Sequence, residues 1–329
     1  MSSIFTRRLG KTDIEVSALG LGCWAIGGPF RRGDVQVGWG KIDDDQSIKA
    51  IHKALNLGAS LFDTADVYGA GHSERILGRA LAIHRNKVIL ATKFGNTFDE
   101  TTREITGTSG SKEYIRSACE SSLKRLQTDY IDLYQFHLGD YDLAKTEEVL
   151  EVLESLVEEG KIRYYGWSTD DTERARFFAK GKNCVSVQHQ MNVLDDSPNM
   201  VRLCQELSLA SINRGPLAMG LLSGKYDKNS LLPEDDVRGA KSPNWMKYFL
   251  EGKPNPEWLD KLGRIKNILS SEGRTSVQGA LAWIWARSGQ CIPIPGFKTE
   301  DQVEENVRAM AFGPLTKDQM NEIDELLNL

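Results

Sequence analysis

The sequence predicts an α/β fold, a (β/α)8 TIM barrel with an N-terminal β-hairpin and a C-terminal helical extension. Three observations support this fold. Eight short apolar segments occur from Leu19 onward, and segments with helical periodicity separate most of these apolar segments. Several of the apolar segments are followed by an ionisable residue. Short apolar strands are typical of parallel strands covered on both faces. A doubly wound sheet is the main alternative, but Gly20 and Gly22 lack the third glycine of a dinucleotide-binding turn.

The N-terminal residues predict the hairpin, since the alternating segments Ile4–Leu9 and Ile14–Ala18 are joined by the turn residues Gly10–Asp13. The eight barrel strands are predicted next along the chain. They are Leu19–Trp24, Ala59–Phe62, Val88–Thr92, Ile131–Phe136, Ile162–Trp167, Val185–Gln188, Leu209–Asn213 and Cys291–Pro295.

The predicted helices lie between and after these strands. The first begins after the capping residues Asp43–Asp45, and the others are Ser73–Ile83, Ser111–Leu126, Lys145–Glu158, Asp171–Ala179, Pro198–Leu207, Ser276–Arg287, Asp301–Ala309 and Lys317–Leu327. Gly220–Trp258 has little periodicity and predicts a long functional or mobile loop. We expect residues 1–329 to form a single domain, because barrels of this length commonly do.

Composition excludes several classes of partner. The net charge is −5 and no basic block occurs, so we expect no nucleic-acid partner. The five cysteines lack metal-ligand spacing, their odd number argues against a disulfide framework, and no metal site is predicted. No apolar signal core or bilayer-length apolar segment occurs, so we expect a cytoplasmic protein with no membrane partner. The sequence leaves open whether the chain forms a homo-oligomer.

Polar and aromatic residues concentrate where the predicted strands end, and these ends meet at one rim of a barrel. The residues predicted at this rim are Trp24, Asp63, Tyr68, Lys93, His137, Ser168, Gln188, Arg214 and Lys298. Motifs of serine hydrolases and zinc proteases do not occur, so covalent and zinc-dependent hydrolysis are disfavoured. Each ionisable residue alone has an ordinary structural role, such as a turn cap or a solvated lysine. Their joint occurrence at successive strand ends favours a catalytic role.

Asp63, Tyr68, Lys93 and His137 predict acid–base chemistry at a carbonyl group. A lysine beside a phenol favours the phenolate, so we expect Lys93 to lower the pKa of Tyr68 from its usual value of about 10. Asp63 would keep Lys93 charged, and His137 would bind the substrate oxygen or relay a proton. Such a group donates a proton to a carbonyl or removes one from an alcohol. The accompanying hydride transfer requires a nicotinamide cofactor.

Three motifs resemble those of the aldo-keto reductase superfamily, in particular its bacterial and potassium-channel-β-subunit-like branches. They are Phe62–Gly69 followed by His72–Glu74, then Thr92–Gly95, then Asp132–His137, and the resemblance extends from Phe5 to Ala311. It implies a barrel closed at its bottom by the hairpin and NADP(H) as the cofactor. It also implies a catalytic tetrad of Asp63, Tyr68, Lys93 and His137, in which Tyr68 is the general acid. Trp24, Tyr68 and His137 would contact the substrate.

The same resemblance implies a cofactor site along the rim. Its residues are Gly22, Cys23, Trp24 and Asp63 near the nicotinamide, Ser168 and Gln188 at its carboxamide, Arg214, Pro216, Leu217, Gly220, Leu222, Gly224 and Lys225 from the ring to the pyrophosphate, and Gly296, Lys298, Gln302, Glu305 and Asn306 at the adenosine end. Lys298 offers a cation to a 2′-phosphate. The chain departs from common family residues at Thr169, Arg214 and Gln302.

The leading hypothesis is therefore an NADPH-dependent reductase of small aldehydes or ketones. One alternative is a nucleotide-sensing regulatory subunit with slow residual reductase activity, and another is a cofactor-free lyase or isomerase that uses Lys93 as a Schiff base. We expect Trp39, Trp245 and Trp258 to lie in loops, where they frame either the substrate or a subunit contact. Trp283 and Trp285 are expected to pack within a helix.

Overall fold

The computed structural model describes residues 5–327. Its strands are β1 (Thr6–Arg8), β2 (Glu15–Ser17), β3 (Gly20–Gly22), β4 (Arg31–Arg32), β5 (Val35–Gln36), β6 (Leu61–Asp63), β7 (Ile89–Phe94), β8 (Asn96–Asp99), β9 (Glu104–Thr108), β10 (Ile131–Phe136), β11 (Ile162–Ser168), β12 (Cys184–Gln190), β13 (Ala210–Arg214), β14 (Phe249–Leu250), β15 (Lys253–Pro254) and β16 (Cys291–Pro293). Its helices are α1 (Asp44–Asn56), α2 (His72–Leu81), α3 (Lys112–Leu126), α4 (Thr146–Glu158), α5 (Thr172–Phe178), α6 (Pro198–Leu207), α7 (Pro256–Leu269), α8 (Ser276–Arg287), α9 (Glu300–Arg308) and α10 (Lys317–Leu327).

Eight parallel strands form the barrel, in the order β3, β6, β7, β10, β11, β12, β13, β16. The two edges meet where the backbone nitrogen of Gly22 donates to the carbonyl of Pro295 at 2.9 Å and Gly22 bridges to Gly296. A Cβ atom at Gly22 would lie 2.7 Å from the carbonyl oxygen of Ile294, so this closure requires a glycine. The structure confirms the predicted TIM barrel.

The hairpin β1–β2 closes the bottom of the barrel. Leu9 and Val16 pack against the apolar side chains that fill the barrel interior, including Leu61 and Leu133. Gly10 adopts φ +58°, and a Cβ atom there would lie 2.1 Å from the carbonyl oxygen of Val185, so the turn approaches the barrel backbone more closely than any side chain allows. The predicted start of this hairpin at Ile4 lies outside the described residues.

A second apolar layer lies between the strands and the surrounding helices. Trp283 and Trp285 are buried in this layer on α8, as predicted. The Trp285 indole nitrogen donates to the carbonyl of Ala18 at 2.8 Å, which ties α8 to the chain between β2 and β3. Helix α8 begins at a capping box of Thr275 and Gln278, which satisfies backbone donors at its first turn.

The segment after β13 differs from its prediction as a loop from Gly220 to Trp258. A short 3₁₀ turn covers Ala218–Ser223, β14 and β15 form a hairpin, and α7 begins at Pro256 after the N-cap Asn255. Trp258 therefore lies in a helix rather than a loop. Its ring packs edge-on against Tyr248 at 5.1 Å.

A four-stranded sheet at the rim was also not predicted. It pairs the hairpin β4–β5 with the hairpin β8–β9 beside the barrel mouth. Its strands have two to five residues and are mostly polar, so they lack the apolar alternation from which strands are predicted.

No described helix combines the length and the apolar character needed to cross a bilayer. All five cysteines are buried and free of disulfides. Between residues 5 and 327, no three histidine, cysteine or acidic side chains converge as metal ligands would.

Candidate active site

A buried ion pair occupies the upper interior of the barrel. Asp63 ends β6 and Lys93 lies on the neighbouring strand β7, two residues beyond Ala91, the register partner of Asp63. Both side chains point inward, and the Lys93 Nζ atom lies 2.5 Å from Asp63 Oδ2. Lys93 is fully buried and also donates to the carbonyl of Thr64 at 2.7 Å. The lysine is thus fixed in position by two acceptors, as a buried charge requires.

Two glutamines hold the other oxygen of Asp63. The side-chain amides of Gln135 and Gln188 donate to Asp63 Oδ1 at 2.9 and 2.8 Å. Gln188 was predicted at the carboxamide of the cofactor, which stays a prediction; in the structure its amide nitrogen donates to Asp63. Gln135 was not predicted as a site residue, although it pairs in register with Lys93 and therefore faces the same interior.

Tyr68 lies in the turn that follows β6. Its hydroxyl is 3.4 Å from Lys93 Nζ, and its ring stacks on Trp24 with centroids 5.9 Å apart. Gly69 adopts φ +61°, and a Cβ atom there would lie 1.9 Å from the carbonyl oxygen of Gly27. The glycine after Tyr68 therefore allows its turn to pack directly on the turn after Trp24, which places the two aromatic rings face to face.

Lys93 changes the pKa of Tyr68 in the expected direction, but the net direction is the opposite one. Burial raises the pKa of Tyr68 above its usual value, and this effect outweighs the lowering by Lys93. Burial lowers the pKa of Lys93, but Asp63 and Tyr68 raise it by more than burial lowers it. The net direction is therefore upward, and the amine is charged. The site at rest thus combines a neutral phenol with an ammonium group.

His137 follows β10 and faces Tyr68 edge-on, with ring centroids 5.9 Å apart. Burial, Lys93 and Arg214 hold the pKa of His137 well below its usual value, so the imidazole is neutral near pH 7. Its Nδ1 atom is buried and has no hydrogen-bond partner within the described chain. A neutral imidazole beside a phenol is suited to bind a substrate oxygen.

Three tryptophans form a cluster at the mouth of the barrel, where one of them, Trp24, stacks on Tyr68. The rings of Trp39 and Trp245 lie 5.4 and 6.1 Å from that of Trp24, whose indole nitrogen donates to the carbonyl of Val37 at 3.0 Å. Trp245 is 56% exposed. The structure therefore places Trp39 and Trp245 beside the predicted substrate residues.

The loops from residues 29–41 and 233–239 join above the rim. The backbone nitrogen of Val237 donates to the carbonyl of Gly38 at 2.7 Å, and the Arg238 guanidinium lies over the Trp39 ring at 4.6 Å. Arg238 is itself held by Asp236 at 2.7 Å. These contacts join the two loops into one segment, here called the strap (residues 29–41 and 233–239).

Lys298 lies beside this strap and donates to the carbonyl of Trp39. Burial lowers the pKa of Lys298; Asp236 opposes this, while the charges of Arg238 and Lys225 add to it. Three cations therefore lie near one another at this end of the rim. Lys298 also contributes to the lining of a cavity of about 620 Å³ beside the N-terminus of α1.

The predicted adenosine residues are on or next to α9. Gln302 completes a capping box with Thr299 and accepts from the Lys298 backbone nitrogen at 2.7 Å, so its side chain stabilises the helix start. The Asn306 amide donates to the carbonyl of Gly296 at 3.3 Å. Glu305 is half-buried on the same helix.

The remaining predicted residues lie directly after β3, at the end of β11 and in the turn after β13. Ser168 is buried at the end of β11, whereas Thr169 donates its hydroxyl to the carbonyl of Gly139 at 2.6 Å. Cys23 is buried, and burial raises the pKa of its thiol, so the thiol is a poor nucleophile. Leu222 is buried, and its carbonyl accepts from Ser276 at 2.8 Å. Pro216, Leu217, Gly220, Gly224 and Lys225 form the rest of this turn.

Comparison with known proteins gives a consistent result. A sequence model of the aldo/keto reductase family matches residues 18–328. The aldo-keto reductase YhdN of Bacillus subtilis is 34% identical over 300 residues, which cover 90% of this chain and 86% of that protein. The structure of the glycerol dehydrogenase AKR11B4 from Gluconobacter oxydans is 31% identical, with a TM-score of 0.82 over 99% of this chain and 96% of that chain. An aldo/keto reductase from Klebsiella pneumoniae in complex with NADP and acetate is 26% identical, with a TM-score of 0.71 over 99% and 96% of the two chains.

Proposed function

The chain belongs to the aldo/keto reductase family, and we propose that it is an NADPH-dependent enzyme that reduces aldehydes or ketones to alcohols, with Tyr68 as the proton donor. The observation that carries this proposal is the contact of buried Lys93 with both Asp63 and the Tyr68 hydroxyl. We propose the cytoplasm as its compartment, because all five cysteines are free.

The residues present fit a dinucleotide cofactor. Lys225, Arg238 and Lys298 supply the cations that phosphate groups require. Ser168 and Arg214 would hold the nicotinamide end, and the partly buried helix α9 would lie at the adenosine end. When bound, the cofactor supplies the hydride.

The protein's own side chains account for the proton. The carbonyl oxygen of the substrate would accept hydrogen bonds from the Tyr68 hydroxyl and from neutral His137. The phenol then gives its proton to this oxygen as negative charge develops there. The Lys93 ammonium, 3.4 Å away, stabilises the phenolate that remains. Asp63 keeps Lys93 charged and in place.

A Schiff-base mechanism at Lys93 fits this site poorly. A nucleophilic lysine must lose its proton, which requires a lowered pKa. Asp63 and Tyr68 instead raise the pKa of Lys93, and its side chain is fully buried. The geometry therefore favours an electrostatic role for this residue.

The decisive variant is Tyr68→Phe, which removes the proton donor and keeps the ring that stacks on Trp24. We expect turnover of an aldehyde panel, followed by NADPH absorbance, to fall by at least about a hundredfold. Cofactor binding, followed by tryptophan fluorescence and calorimetry, should stay near normal. Tyr130→Phe changes a phenol at the opposite end of the barrel and serves as the matched control.

Retained turnover in Tyr68→Phe would contradict the assigned proton donor. Separate titrations with NADPH and NADH would test the cofactor preference, since NADPH should bind more tightly if Lys298 contacts the 2′-phosphate. Very slow wild-type turnover with tightly retained cofactor would indicate the nucleotide-sensing subunit instead.

A further inference from the structure

Arg214 ends β13 at the rim and is held by two residues from neighbouring strands and loops. Its guanidinium forms an ion pair with Asp170, in the loop after β11, and donates to the Gln190 side-chain oxygen at 3.2 Å. Asp170 in turn accepts from the Gln190 backbone nitrogen at 2.7 Å. The orientation of Arg214 is therefore set by Asp170 and Gln190, neither of which was predicted as a site residue.

The charge of Arg214 acts on the catalytic groups. It is among the causes that lower the pKa of His137, and it counteracts part of the rise in the pKa of Tyr68. Arg214 also lines a cavity of about 610 Å³ together with Asp170, Arg174 and Thr169, the residue that follows Ser168 in the chain. Arg214 thus places a fixed cation at the end of β13, on the same rim of the barrel as Tyr68 and His137.

We propose that the Arg214–Asp170 pair sets the preference of this protein for reduced over oxidised cofactor. This inference rests on the proposed function, which brings the nicotinamide to this part of the rim. The nicotinamide ring is neutral in NADPH and carries a positive charge in NADP⁺. Arg214 repels the charged ring and so favours NADPH, whereas Asp170 partly cancels that repulsion.

The size of the effect follows from the exposure of the pair. The Arg214 and Asp170 side chains are 37% and 55% exposed, so solvent screens their charges considerably. We therefore expect each change of charge to alter the ratio of the two dissociation constants by about three- to tenfold. The two residues should act in opposite directions.

The experiment is a pair of equilibrium titrations of the full-length protein, one with NADPH and one with NADP⁺, followed by tryptophan fluorescence and by calorimetry. In Arg214→Gln the ratio Kd(NADP⁺)/Kd(NADPH) should fall by about three- to tenfold. In Asp170→Asn the ratio should rise by a similar factor, and the asparagine keeps an acceptor for the Gln190 backbone nitrogen. Arg214→Lys keeps the charge and should retain most of the wild-type ratio.

Arg176→Gln is the matched control, because it removes the same charge from an exposed pair with Glu206. Its ratio should equal that of the wild type. If Arg214 had only a structural role, its loss would weaken the binding of NADPH and NADP⁺ by the same factor. An unchanged ratio Kd(NADP⁺)/Kd(NADPH) in Arg214→Gln and Asp170→Asn would therefore overturn the inference. A shift of this ratio in the same direction in both variants would overturn it as well. Failure of the proposed function gives a different result, since the wild type would then bind neither nucleotide.

Discussion

The ion pairs Asp63–Lys93 and Glu74–Arg125 are similar in chemistry but lie on opposite sides of strand β7. Successive side chains of a strand point to opposite faces. Lys93 therefore points into the barrel, whereas Thr92 points outward and donates to Glu74 Oε1 at 2.6 Å. Glu74 is fully buried and accepts from Arg125 Nε at 2.6 Å, so the outer pair ties α2 to α3.

The two pairs differ in the further contacts that the Lys93 ammonium and the Arg125 guanidinium make. Lys93 Nζ contacts the hydroxyl of Tyr68, a half-buried residue at the barrel mouth. Arg125 instead contacts Ser122 on α3 at 3.3 Å and Glu100 in the turn between β8 and β9 at 3.0 Å, both outside the barrel interior. Burial and charge pairing alone therefore do not identify a catalytic residue. What distinguishes the catalytic pair from the structural pair is whether its cation also contacts a residue at the barrel mouth.

The largest expected effect comes from breaking the inner pair. Lys93→Met should lower kcat by about a hundred- to ten-thousandfold, because the phenolate of Tyr68 loses its stabilising charge. It should also lower the free energy of unfolding by about 3–5 kcal/mol, because Asp63 stays buried without a counter-charge. Steady-state kinetics and urea unfolding measure the two effects.

The double variant Asp63→Asn/Lys93→Met separates these effects. It removes both charges, so much of the stability should return while activity stays lost. Recovery of activity together with stability would show that Lys93 acts only through folding.

Breaking the outer pair should affect stability alone. Arg125→Met leaves Glu74 buried and unpaired, so we expect the free energy of unfolding to fall by about 3–5 kcal/mol. The kcat of the folded fraction should stay within about threefold of the wild type, because no atom of the pair touches Tyr68 or His137. A loss of kcat as large as that of Lys93→Met would disprove the distinction between the pairs.

The sequence predicted most of the barrel because its strands are short, apolar and regularly spaced. Asp63 and Lys93 were predictable because each lies at or near the end of such a strand. Helix α7 was missed although Asn255 and Pro256 are a typical helix start, because polar residues and glycines dominate the preceding segment.

Other features of the site depend on contacts that strand ends do not reveal. Gln188 reaches Asp63 across the barrel, and Asp170 reaches Arg214 from another loop. The direction of the shift in the pKa of Tyr68 depends on how deeply its hydroxyl is buried, which the sequence pattern does not give. These are long-range properties of the folded chain.

Asp66 lies between the two ion pairs and belongs to neither. It is 1% exposed, and its Oδ1 atom has no hydrogen-bond partner among residues 5–327. Its Oδ2 atom is 3.5 Å from the Tyr114 hydroxyl, which donates its proton to the carbonyl of Asn96 at 2.8 Å. Burial and the charge of Glu74 raise the pKa of Asp66 well above its usual value, although Arg125, a backbone hydrogen bond at Val67 and Tyr114 lower it. The folded protein therefore retains a proton on Asp66 to a higher pH than the unfolded chain does.

This proton gives stability a pH dependence that Asp66→Asn should remove. Above about pH 4 the unfolded chain releases the proton while the folded protein keeps it, so the contribution of Asp66 to stability is full at lower pH and declines as pH rises. The decline is at most about 1.4 kcal/mol per pH unit until the folded pKa is reached. The Tm advantage of Asp66→Asn over the wild type should therefore be larger at pH 8 than at pH 5. The exposed residue Asp34, changed to Asn, serves as the control. An equal Tm difference at both pH values would show that Asp66 is ionised in the folded protein.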